Sequence, residues 1–294
     1  MGRRRIIVLA AAIAGLLAMG VVTAPSAGAV QRCFGQPATR VGNNGDNTIV
    51  GTPNRDVIVG RGGDDQIDGR GGRDLICAGD HHDAVEGGDG NDRINTGNGD
   101  DTVRGEAGAD RISLGAGMDY FTLGGPGNDI IEGGSGDDSF GSRGLSGGPG
   151  ADLLNGGPGG DILSGGAGND RILGKGGRDT LTFRFASGDR RVELRRTGPQ
   201  NTGEGNDVVR GMEDVIGSEF DDALTGSDVV NNITGRDGDD ILRGTTGDDF
   251  LGGNAGDDFL HGGFGTDTGD GGENDTPSPG DTCVSIEIPS GCES

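Results

Sequence analysis

Aspartates recur in this chain at a spacing that suits the collection of metal ions. In Gly60-Arg-Gly-Gly-Asp-Asp65-Gln-Ile67-Asp, Gly69-Arg-Gly-Gly-Arg-Asp74-Leu-Ile76-Cys and Gly87-Gly-Asp-Gly-Asn-Asp92-Arg-Ile94-Asn, the same pattern returns every nine residues. Glycine opens most blocks, an aspartate stands sixth and an aliphatic residue eighth. Twenty-two such blocks can be cut from the sequence; the sixth residue is Asp in 20 and Asn in two, Asn47 and Asn231. The eighth is Ile, Val, Leu or Phe in 21 blocks and the fourth is Gly in 18, a phase that a disordered low-complexity chain would not keep.

The candidate ligands are 19 of these 20 sixth-position carboxylates. They are Asp56, Asp65, Asp74, Asp83, Asp92, Asp101, Asp110, Asp119, Asp129, Asp138, Asp152, Asp161, Asp170, Asp179, Asp222, Asp240, Asp249, Asp258 and Asp267. Glycines at positions one, two and four allow a tight turn with positive φ, which aims several carbonyl oxygens at one spot. The carboxylate that ends the turn aims at the same place. Oxygen-only donor sets of this kind suit a hard cation. Calcium accepts six or more oxygens in flexible geometry, whereas magnesium asks for a strict octahedron and keeps its waters.

The elements that position these groups follow from the period. The residue at position eight sits in a short strand with its side chain inward. A lone strand burying one aliphatic side chain is unstable, but stacked strands share a thin continuous core. If two blocks make one coil, residues 18 apart lie above one another. Asp56, Asp74, Asp92 and Asp110 then form one column, and Asp65, Asp83, Asp101 and Asp119 a second. At a strand spacing of about 4.8 Å, bare carboxylates stacked this way repel, and a divalent ion between successive turns removes that cost.

Composition agrees with such an architecture and excludes others. The 294 residues include 67 Gly, only 30% are hydrophobic, and Trp is absent. A conventional packed core is excluded, because too few apolar side chains oppose chain entropy. The net charge of −24 argues against a nucleic-acid partner.

The block pattern closely resembles the RTX, or hemolysin-type calcium-binding, nonapeptide repeat. The resemblance implies an all-β fold, a parallel β-roll (β-solenoid) with calcium between turns. Runs of eleven, four and six blocks offer up to roughly 15 calcium sites if each uses turns from blocks i and i+2. Blocks with Asn54, His81, Phe220 or Val229 in place of the fourth glycine are expected to be weak or empty sites. The chain departs from many relatives in carrying an N-terminal signal and no attached toxin or catalytic domain.

Residues 1–29 read as a secretion signal: Arg3–Arg5, an apolar run from Ile6 to Val22, and Ala27-Gly28-Ala29 before Val30. Its removal leaves 21 basic against 48 acidic residues, a charge of −27, in a secreted, extracellular protein with no membrane span. The four cysteines suit two disulfides in an exported chain. Cys33 with Cys77 and Cys283 with Cys292 is the favoured pairing, one near each end, and no CxxC suggests zinc instead.

The expected organisation is an N-terminal cap at 30–41, a first roll at 42–182, an interlude at 183–216, a second roll at 217–272 and a C-terminal cap at 273–294. In the interlude, Phe183-Arg-Phe185 and Val192-Glu-Leu194 alternate around Ser187-Gly188-Asp189 like a solvated hairpin. Arg184, Arg190, Arg191, Arg195 and Arg196 make it the one basic stretch after residue 29.

Enzyme signatures carry no weight. Gly144-Leu-Ser146-Gly-Gly148 fits a nucleophile elbow, yet about 0.7 such matches arise by composition alone, and no H-E-x-x-H occurs. The expected function is a non-catalytic protein that folds on binding many calcium ions. The alternative is an adhesion or matrix protein that uses the roll as a spacer toward a cell-surface or extracellular polymer.

Overall fold

The computed structural model describes residues 30–139, 147–273 and 281–291. Among them there is no helix. The chain winds into a parallel β-solenoid of about 12 turns. Six-residue strands such as Val57–Gly62, Leu75–Asp80 and Arg93–Asn98 stack in one sheet. Three-residue strands such as Gln66–Asp68 and Ala84–Glu86 stack in the sheet that faces it.

Register follows the 18-residue coil. Ile58, Ile76, Ile94, Ile112, Ile131, Leu154, Ile172 and Val209 pair in succession on one side. Ile49, Ile67, Val85 and Val103, and later Leu181, Val215, Ile233 and Leu251, do so on the other. All are buried in one core cluster that runs the length of the roll. Most strands contribute one inward aliphatic side chain, and Ala78 and Leu114 add a second to theirs, so neighbouring coils supply the burial that no coil achieves alone.

Insertions leave the axis undisturbed. Leu123 is absorbed as a register shift, with Thr102 opposite Tyr120 but Arg104 opposite Leu123. Across residues 142–146 the pairing simply lengthens, so that Ile131 meets Leu154.

The interlude corrects the hairpin expectation. Phe183–Leu194 does not fold back on itself. Instead Arg191–Glu193 pairs in parallel with Ala223–Thr225 and founds a third sheet, which continues through Ile241–Thr246, Phe259–Phe264 and Thr282–Val284. The chain overshoots one layer and then doubles back. The antiparallel pair is formed by Gln200–Asn201 with Asn206–Arg210. The Gln200 amide closes the seam, accepting from the Glu193 N–H at 2.8 Å and donating to its carbonyl at 3.3 Å.

The N-terminal segment also differs from a cap laid over the first coil. Arg32–Cys33 and Gln36–Pro37 form a hairpin on the outer face of the roll, and only Arg40–Val41 joins the ladder. The hairpin packs Cys33 on Val57, Val59 and Leu75, with Phe34, Ala38 and Cys77 around them. The Cys33–Cys77 disulfide ties it down across 44 residues, and the Arg93 guanidinium lies 4.0 Å above the Phe34 ring. At the other end Thr282–Val284 and Ile288–Ser290 add strands to two different sheets, while Ile286 packs against the core between them. The C-terminal segment is thus a further coil. Cys283 is disulfide-bonded; Cys292, its expected partner, lies outside the described residues.

Candidate metal columns

The sixth-position residue ends each turn and begins the next strand, so the ladder stacks its side chain on the one a coil away. All 19 candidate aspartates are buried, Asp56 the most accessible at 5%. The first column runs Asp56, Asp74, Asp92, Asp110, Asp129, Asp152 and Asp170, and resumes at Asp222, Asp240 and Asp258. The second runs Asp65, Asp83, Asp101, Asp119, Asp138, Asp161 and Asp179, and resumes at Asp249 and Asp267. Within a column each backbone N–H donates to the Oδ1 of the next aspartate. The Asp74 N–H reaches Asp92 at 2.7 Å, Asp92 reaches Asp110 at 2.8 Å and Asp110 reaches Asp129 at 2.7 Å.

That bond uses only one carboxylate oxygen. In 17 of the 19, all but Asp56 and Asp222, the Oδ2 is buried without a hydrogen-bond partner. A buried polar atom left without a partner is costly, and here the cost recurs coil after coil. Where the turn opens with glycine, as at Gly60 and Gly69, the same Oδ2 lies against that glycine beside a carbonyl of the next coil. A methyl group on Gly60 would collide with both Asp65 Oδ2 and the Ala78 carbonyl oxygen; on Gly69 it would meet Asp74 Oδ2 and the Gly87 carbonyl oxygen. Acceptor oxygens therefore converge with no donor between them. The fourth glycine closes the approach: Gly90 has φ +145°, and any Cβ there would overlap the Gly72 carbonyl oxygen.

Electrostatics point the same way. Burial, reinforced by the neighbouring carboxylates of the column, pushes Asp83, Asp110, Asp138 and Asp258 up to about 7, and Asp240 to about 8. Hydrogen bonds from the backbone offset only part of this. A divalent cation reverses the balance by favouring the ionised form. The residues present thus fit calcium: hard oxygens, paired turns and unspent negative charge. No three His, Cys, Asp or Glu side chains converge among the described residues, so most ligands would be backbone carbonyls.

Sequence reasoning missed several members of the columns. Asp207 follows Asp170, whose N–H reaches its Oδ1 at 2.8 Å. Glu213 receives the N–H of Asp179 at 2.9 Å, and Glu287 that of Asp267 at 2.6 Å. Asp281 receives the N–H of Asp258 at 2.8 Å. Asp207 stands sixth in a nine-residue block of its own, whereas separations of 20 to 34 residues hide Glu213, Asp281 and Glu287 from a fixed period. A second ladder at position five, running in the opposite sense, was missed as well. Asp64 accepts from the His82 N–H, and His82 Nδ1 accepts from the Asp100 N–H at 2.9 Å. His82 is thereby committed to the ladder.

The turns that lack the fourth glycine are of a distinct kind. Three of the four carry their own hydroxyl at position two. Thr52 Oγ1 donates to Asp56 Oδ2 at 2.8 Å, and Ser218 caps both oxygens of Asp222. Asn231 Oδ1 accepts the Ser227 N–H at 2.7 Å. Burial raises Asp56, but Thr52, Thr39 and Arg40 outweigh it and hold its pKa below the usual value. Only the His81 turn lacks such a cap, and Asp83 keeps its bare Oδ2.

Comparison with known proteins agrees with this geometry. The family model of the RTX calcium-binding nonapeptide repeat matches residues 41–76, 79–121, 123–140, 146–181, 216–251 and 234–269, more than half of the chain. No curated protein matches it. RTX nonapeptide repeats bind calcium. With the pattern, the solenoid and the match in accord, the chain belongs to the RTX calcium-binding nonapeptide repeat family.

Proposed function

We propose that this is a secreted, non-catalytic protein whose roll folds on binding many calcium ions, with the sixth-position aspartates as ligands. The observation that carries the reading is the row of 17 buried carboxylate oxygens without partners. Calcium, when bound, supplies positive charge and accepts six or more oxygens. The chain's part is to pre-align carbonyls through its glycines and to hold each carboxylate by one N–H bond, leaving the other oxygen to the ion. Extracellular modules of this general kind bind at roughly 10⁻⁴–10⁻³ M, so export into calcium-rich surroundings would switch folding on. The division into caps, two rolls and an interlude belongs to the same reading. Circular dichroism of the chain from Val30 onward, titrated with calcium and with magnesium as control, tests it. A β-signal already complete in chelator would overturn it.

One observation favours a second role, docking on an acidic cell-surface or extracellular polymer. Arg191, Arg195 and Arg243 line a groove of about 270 Å³ on the outer face of the third sheet. Retention on a sulfated-polymer column that is lost in the triple alanine variant would support it.

A further inference from the structure

Arg190 stands where the first column calls for an aspartate. It precedes Val192 by two residues, as Asp222 precedes Leu224, and those two aliphatics pair. The Arg190 N–H donates to Asp222 Oδ1 at 2.6 Å, as every column aspartate does to its successor, and its carbonyl accepts from Ala223 N–H at 2.8 Å. Its side chain is 2% exposed. The guanidinium does not turn outward. It reaches into the turn at 202–207, where one nitrogen donates to the Thr202 carbonyl at 3.4 Å and another to Glu204 at 3.2 Å. Burial raises the pKa of both Asp207 and Asp222, and the Arg190 charge counters the rise in each.

The groups around it are already satisfied by the protein. Thr202 Oγ1 donates to Asp207 Oδ2, and Ser218 caps Asp222. In the second column, at the same level, Glu213 and the self-capped Asn231 replace aspartates. Outside the columns Arg178 grips Asp214 at 2.6 Å, and Arg236 joins the Arg184 carbonyl to Glu219.

The geometry points to a tethered cation. We propose that the Arg190 guanidinium takes the position of a calcium ion between the Asp207 and Asp222 turns, so that this belt holds together without metal and divides the first column into two separately loaded stacks. The proposal rests on the calcium reading above. A buried guanidinium is well suited to such a position. It presents five donors in a fixed fork; here two of its nitrogens meet the Thr202 carbonyl and the Glu204 carboxylate, and Nε is buried without a partner. A planar group fixed to the chain costs no ion-binding entropy and is indifferent to the calcium concentration outside.

The test is a count of ions. Bound calcium per chain is measured by equilibrium dialysis at saturating calcium for the wild type, Arg190→Lys and Arg190→Asp. The lysine variant is expected to match the wild type, and the aspartate variant, which restores the column, to gain at least one ion. An aspartate variant that folds and binds the wild-type number overturns the proposal. The wild type alone gives a second test that needs no variant to fold, anomalous scattering from calcium-loaded crystals. Peaks are expected in the gaps between Asp74 and Asp170 and none between the 202–207 turn and Asp222; a calcium peak beside Arg190 overturns the proposal. A wild type that takes up no calcium at all overturns the underlying calcium reading instead.

Discussion

Between Asp65 and Asp179 the roll is regular, with a glycine at each fourth position save His81 and every column carboxylate left with one bare buried oxygen. Between Phe183 and Asn231 it is irregular, and the carboxylates there are capped by Thr202, Ser218 and the Arg190 charge. Both stretches stack the same thin core on the same spacing. They differ in where the neutralising groups come from. The regular stack leaves them to solution, and the irregular belt builds them in. Loss of the repeat therefore marks a change of counter-charge rather than a change of fold.

Removing calcium should separate the two stretches most widely. In chelator at neutral pH the greater part of the β-signal is expected to disappear, because the stack holds most of the bare oxygens. Loss should begin outside the belt, and hydrogen exchange at intermediate calcium would show residues 190–231 protected last. Uniform loss along the chain would remove the distinction.

Proton concentration acts next. Burial raises Asp74, Asp119 and Asp152 to about 6 and Asp129 and Asp170 to about 7 in the metal-free roll, above an unfolded value of about 3.9. Protons thus bind the folded form more tightly. Their stabilisation is fully present below pH 4 and is lost as pH rises through 6 to 7. Without calcium, circular dichroism should show β-structure gained on acidification. With calcium the sign inverts, since protons then compete with the ion.

Single aspartates sharpen the contrast. Asp92→Ala is expected to lower the ion count and weaken neighbouring sites cooperatively in calorimetry, because Asp92 stacks between Asp74 and Asp110. Asp222→Ala should cost fewer ions, because Ser218 already caps both of its oxygens. Equal calcium losses from the two would erase the difference between the regions. The smallest effect is expected at the caps: Ser218→Ala should cost about 1 kcal/mol in thermal unfolding, by an amount independent of calcium concentration.

Most of the coil was legible because the solenoid repeats its chemistry at a fixed interval. Ile58 or Leu242 is inward for the same reason as every other eighth residue. What escaped is what breaks the interval while keeping the place. Arg190 carries the opposite charge from its column, so no search for acids would find it. Glu213 and Glu287 are one methylene longer and off the period. The position of the N-terminal hairpin did leave a trace. Val57, Val59 and Leu75 are apolar at outward positions that later coils fill with Arg93, Asn95 and Arg111, and this apolar strip is what the hairpin covers.

The column bonds all run one way. Each Asp N–H donates to the carboxylate of the following coil, from Asn47 to Asp65 at 2.8 Å through to Asp267 and Glu287 at 2.6 Å. A coil laid down in chain order therefore arrives carrying acceptors for donors already fixed beneath it. Its own N–H groups then form the template for the next. The two ends of a stack therefore differ although its coils are alike: the first offers a row of acceptors and the last an open row of donors.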